Sequence, residues 1–194
     1  MGVGGDMSKV AGRRSLSSQG HALTTWIYIG LAVSVGITSA LQIAMLGAIT
    51  RERGGFEATW ISMLASLAGM AGVLLASAIA GRQPLLARPF DRASIYGFFA
   101  ALMLVALVLA SRGMPPYLAL TGFLPVPYLL AASFIGPRVG LGVFLGAIIA
   151  GQLIGGMILD HIGAFGAHPR HIDGLRLLGA VVLLVGVFLI RGRR

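Results

Sequence analysis

ALTTWIYIGLAVSVGITSALQIAMLGAIT, residues 22 to 50, contains no aspartate, glutamate, lysine or arginine. A helix crosses the hydrocarbon core of a bilayer in about 20 apolar residues. This run is therefore long enough to span with tilt, or to continue beyond the membrane. It is also too long for the apolar part of a cleavable signal, and reads as a permanent anchor. The charged turn Arg51-Glu52-Arg53-Gly54-Gly55 closes it.

Further apolar runs follow, separated by arginine, glycine and proline. Together they predict spans at about 22–50, 58–81, 93–111, 117–136, 139–159 and 175–191. The last is apolar only from Leu177 to Ile190, and spans only if Arg176 and Arg191 snorkel to the interface or the bilayer thins. Barrel strands alternate over about ten residues. These runs are continuously apolar, and a helix satisfies every backbone group within its own segment. The expected fold is an all-α integral membrane protein, a bundle of six transmembrane helices. Five is the alternative, if the third or last run does not cross. Residues 21–194 form this single domain, behind a disordered, basic, glycine- and serine-rich tail over residues 1–20.

Composition agrees. Of 194 residues, 57% are hydrophobic and 11% charged, against about a quarter charged in ordinary soluble domains. Mean hydropathy is +0.90. The net charge of +9 comes from 15 basic and 6 acidic residues. The basic residues sit between apolar runs and at the ends, with no aromatic-interleaved patch, which points to anionic lipid and away from nucleic acid. In the six-span arrangement Lys9, Arg13, Arg14, Arg82, Arg88, Arg92, Arg138, Arg191, Arg193 and Arg194 share one side. Arg51, Arg53, Arg112, Arg170 and Arg176 share the other. The positive-inside rule then places both termini in the cytoplasm. The chain has no cysteine, so disulfides, thiolate catalysis and zinc–thiolate sites are excluded. It has no HExxH, P-loop or nucleophile elbow, so an enzyme is not expected, nor a cofactor. His161, His168, His171 and Asp173 lie in one loop, but their spacing and the intervening Pro169-Arg170 argue against a metal site.

Four features could carry function. Gly30, Ser34, Thr38 and Gln42 recur every fourth residue on one face of the first helix, where Ser34, Thr38 and Gln42 could line a polar path. The bland reading is that hydroxyls bond their own helix and Gln42 joins two helices. Gln152, deep in the fifth run, shares a face with Asp160, and Gln152 would also line the path. Asp160, beside His161, sits at a helix C-terminus, where the dipole disfavours a carboxylate. Asp160 and His161 together could couple transport to protons; the alternative is a helix end bonded to its loop. Gly142, Gly146, Gly151 and Gly155 form small-residue stripes for close helix packing, within the chain or in a homodimer seam. Pro125 and Pro127 remove backbone donors inside the fourth run and could act as a helix break and gate, or as a plain kink.

Four segments carry a resemblance. Pro137-Arg138-Val139-Gly140, Ala150-Gly151-Gln152-Leu153, Leu159-Asp160-His161-Ile162-Gly163, and Leu177-Leu178-Gly179-Ala180 with Gly186-Val187 resemble the YdcZ-like family of the drug/metabolite transporter superfamily. Ala40-Leu41-Gln42 and the serine-bearing run after it are similar too. The family usually has asparagine four residues after that glutamine, where this chain has Leu46. It usually has five spans, so the run 93–111 reads as an addition. The resemblance implies a secondary transporter moving a small metabolite or drug-like molecule across the plasma (inner) membrane. A homodimer is the expected working unit, since so small a bundle encloses little cavity. The rival reading is a non-transporting scaffold or assembly subunit whose polar residues serve helix packing.

Overall fold

The computed structural model describes residues 4–82 and 85–190, with side chains from residue 23 onward apart from 187, 188 and 190. Helix α1 (Gly4–Arg53) is followed by α2 (Gly55–Ile79) and α3 (Ala93–Ala110). A 3-10 helix, Pro116–Phe123, leads into α4 (Pro125–Phe134). The short α5 (Gly136–Val139), α6 (Leu141–His161) and α7 (Gly174–Ile190) complete the chain. Helix α1 begins inside the stretch expected as a tail, where no proline interrupts the backbone; its apolar crossing part is Leu23–Arg53. The side chains of Lys9, Arg13 and Arg14, and residues Arg191, Arg193 and Arg194, lie outside the described residues.

Among the described residues, five segments are long and apolar enough to cross a membrane. They are Leu23–Arg53, Gly55–Ile79, Ala93–Ala110, Pro116–Phe134 and Leu141–His161. The third run is thus a helix of spanning length. It packs antiparallel to α2, with Gly97 against Leu75. Helix α7 has 17 residues, which at 1.5 Å each gives about 25 Å, short of a hydrocarbon core of about 30 Å.

Arginines mark the two ends of the bundle. At one end Arg53 donates to the carbonyls of Ala110 (2.8 Å) and Arg112, and Arg51 to that of Phe165 (2.6 Å). These bonds occupy carbonyls that a helix terminus or loop leaves open. At the other end Arg138 donates to the Tyr28 hydroxyl (2.7 Å) and lies over its ring.

Lipid is as apolar as leucine, so helices in it associate by close packing and hydrogen bonding. Helices α1 and α6 meet backbone to backbone. A Cβ on Gly36 would collide with the Ile148 carbonyl and lie 2.9 Å from the Gly151 Cα, and one on Gly151 would collide with the Val33 carbonyl. Gly155 sits against Ile37 and Ala40. Two apolar clusters flank this seam. Met45, Ile49, Ile61, Leu64, Leu107 and Leu118 join α1, α2, α3 and the 3-10 helix. Ala32, Ala131, Phe144, Ala147 and Ile148 join α1, α4 and α6.

The proline pair divides the fourth run into its 3-10 and α halves. Pro125 has no N–H to give the carbonyl three residues back, that of Gly122. The Ser66 hydroxyl of α2 lies 2.6 Å from that carbonyl and 2.9 Å from the Ser62 carbonyl of its own helix, and its one hydrogen is best placed for the nearer. Fully buried Thr121 donates to the Gln42 carbonyl of α1 at 3.2 Å. Gly122 lies so close to α2 that a Cβ would strike the Ser62 carbonyl. The 3-10 half is therefore bonded to both neighbours.

Candidate functional site

Gln152, Gly156 and Asp160 repeat every four residues on α6, so they stack on one face. At 1.5 Å per residue, about 12 Å separates the first from the last along the axis. This face borders two clefts. The larger, about 450 Å³, lies between α6 and α7. Its polar groups are Gln152 at one end and Asp160 with Arg176 at the other. Leu153, Met157 and Leu183 wall it, and Gly156, Gly179 and Ala180 leave it open. Neither Gly156 nor Gly179 has any atom within 4 Å of where a Cβ would stand. The smaller cleft, about 190 Å³, lies between α6 and α1, where Ala40, Ile43 and Ala44 face Gln152, Gly156, Leu159 and Asp160.

The loop after α6 builds the charged end. Gly163, in the left-handed conformation, turns the chain out of the helix (φ 61°), and its N–H and that of Arg170 donate to the Asp160 carbonyl at 3.2 and 2.8 Å. Asp173 opens α7 as its cap: the Arg176 N–H donates to its carboxylate at 2.7 Å. Arg176, in the first turn of α7, then reaches back, and its guanidinium donates to Asp160 Oδ2 at 3.2 Å. The bond draws Asp160 to the N-terminal end of α7. That end's positive dipole offsets the unfavourable end of the carboxylate's own helix. Arg176 also donates to the Arg170 carbonyl at 3.4 Å. The pair is only partly buried, the side chains of Arg176 and Asp160 being 33% and 47% exposed.

The structure brings together only some of the residues singled out in sequence. Gln152 and Asp160 line both clefts. Asp160 pairs with Arg176, whereas exposed His161 accepts the Ile172 N–H at Nδ1 (3.3 Å) and stands edge-on to His171. Of the first-helix stripe, none lines either cleft. Ser34 faces outward and donates to the Gly30 carbonyl, and half-buried Thr38 donates to that of Val35. The face that α1 turns to α6 runs through Gly36 and Ala40, because the smallest residues allow the closest approach. Gly151 and Gly155 pack against α1, buried Gly146 lies on the same helix, and Gly142 faces outward. Arg176, Gly156 and the Gly179-Ala180 pair were not singled out as site residues. Their signals were a lone arginine opening an apolar run, and a glycine midway between Gln152 and Asp160.

No curated protein and no solved structure matches the chain. A family model, DMT_YdcZ, matches residues 27–189 and is described as "Putative inner membrane exporter, YdcZ". That range takes in the spanning segments from residue 27 onward and both walls of each cleft, and the chain belongs to the YdcZ family of inner-membrane transporters.

Proposed function

We propose that this multi-pass inner-membrane protein exports a small molecule through the cleft between α6 and α7, and that the substrate has an apolar body and a polar head. The observation that carries this reading is the cleft itself. A volume of about 450 Å³ lies in the range of small-molecule sites, which are mostly apolar with a few convergent polar groups. Here the polar groups stand at the two ends, and the middle is lined by aliphatic side chains and bare glycine. The head engages the Asp160–Arg176 pair, and Gln152 bonds the far end. Asp160, the acidic side chain on the walls of both clefts, is also the group at which a proton would compete with Arg176 for the carboxylate. The geometry supports Arg176 in that exchange more than His161, because Arg176 bonds the carboxylate directly whereas the Nδ1 of His161 is engaged by the Ile172 N–H.

The test is uptake into everted vesicles of a panel of labelled amino acids, lipophilic cations and carboxylates. Gly156→Phe fills the cleft and abolishes transport of whichever compound moves, while Leu178→Phe, on an outward-facing position, does not. Unchanged transport in Gly156→Phe would place the path elsewhere. Failure to move any compound, with stable co-purification of another membrane protein, would favour the scaffold reading.

A further inference from the structure

The charged end of the cleft presents both signs side by side, and this selects among ligands. A ligand with one charge engages one member of the Asp160–Arg176 pair and is repelled by the other, gaining a single charge-assisted contact. A ligand carrying an ammonium and a carboxylate on one carbon meets both members at once. The pair has room for it. Only Oδ2 of Asp160 is engaged, and Oδ1 has no partner among the described residues. The guanidinium uses one N–H on the carboxylate and one on the Arg170 carbonyl, and its remaining N–H groups are unassigned among the described residues. An ammonium at Oδ1 and a carboxylate on the spare guanidinium edge would close a ring of alternating charges without breaking the existing bond. Beyond the pair, the walls offer Leu153, Met157 and Leu183 around the space left by Gly156, Gly179 and Ala180. That lining receives an aliphatic or aromatic group and offers nothing to a second charge until Gln152. Resting on the reading of this cleft as the substrate site, we propose that it selects zwitterions: α-amino acids with apolar side chains.

The experiment uses the full chain in nanodiscs, with a single cysteine placed at Gly156 and its alkylation by N-ethylmaleimide followed over time. The probes are L-leucine, N-acetyl-L-leucine (an anion) and L-leucine amide (a cation). L-Leucine is expected to slow labelling at concentrations at least tenfold lower than either singly charged analogue. Asp160→Asn and Arg176→Gln should each abolish that preference, and the exchanged pair Asp160→Arg with Arg176→Asp should restore it, since both signs are again adjacent. The comparison of the three probes needs no change in the pair, so a variant that fails to fold leaves the outcome readable. Protection by the amide or the acetylated form equal to or better than by leucine overturns zwitterion selection while leaving the cleft as a site. Absence of protection by all three also overturns it. The cleft reading falls separately, if Gly156→Phe leaves export intact.

Discussion

At the residue scale, Asp160 and the glycines of the α1–α6 seam do different work. Asp160 accepts one charge-assisted bond from Arg176, and because both side chains are about a third or more exposed the pair contributes about 0.2–1 kcal/mol. Asp160→Asn should therefore leave stability within about 1 kcal/mol of the parent while lowering export, because the substrate's polar head loses half of its proposed site. Full export by the variant would end that role for Asp160. At the seam, Gly151 admits no side chain, because a Cβ would enter the Val33 carbonyl. Gly151→Leu should cost about 1–3 kcal/mol or more by overpacking, read by unfolding in mixed micelles. Gly72 on α2 faces open space, and Gly72→Ala should match or exceed the parent by up to about 1 kcal/mol. Equal losses at both positions would mean the close approach is not what makes Gly151 necessary. The sequence marked Gly151 and Gly155 as a packing stripe. It could not say that α1 fills the stripe, since the facing residues, Gly36 and Ala40, lie more than a hundred positions away.

At the element scale, the proline break shows how an irregular helix is tolerated within a bundle. The carbonyl that Pro125 cannot serve is bonded by Ser66 of the neighbouring helix. A serine replaced there leaves an orphaned acceptor, at about 1–3 kcal/mol. Ser66→Ala should destabilise the protein by that amount. In the Pro125→Ala background the same change should cost clearly less, because residue 125 regains its N–H. Strict additivity of the two changes in a double-mutant cycle would refute the exchange of partners. The break itself was legible, because proline's missing donor is a property of the residue. What closes the gap was not, because any hydroxyl on any adjoining helix could have done so.

For the whole molecule, the bonds from α1 place the ends of α1 and α3 and the 163–167 loop together, with Tyr28 and Arg138 at the opposite end. By length and composition the run 93–111 is expected to cross. Single cysteines in this cysteine-free chain test it directly. Arg88→Cys should label from one face, the cytoplasmic one by the charge bias, and Arg112→Cys and His168→Cys from the other. Labelling of Arg88→Cys and Arg112→Cys from the same face would remove α3 from the spans. Helix α7 packs on α6 and has no buried residue among those described, which suits a cleft wall better than a core element.

The sequence alone determined that the chain is helical and membrane-embedded, because uncharged runs of this length have one low-cost conformation in lipid; it did not show that the first helix begins as early as Gly4. The resemblance of its last third already pointed to the family. Only the tertiary structure decided the partners: Arg176 for Asp160, Gly36 for Gly151, Ser66 for the Gly122 carbonyl, and α7 as the far wall of the cleft. Insertion is decided by the transfer free energy of one segment at a time, which composition records. Pairing is decided by which faces of different helices fit, and no single segment carries that information.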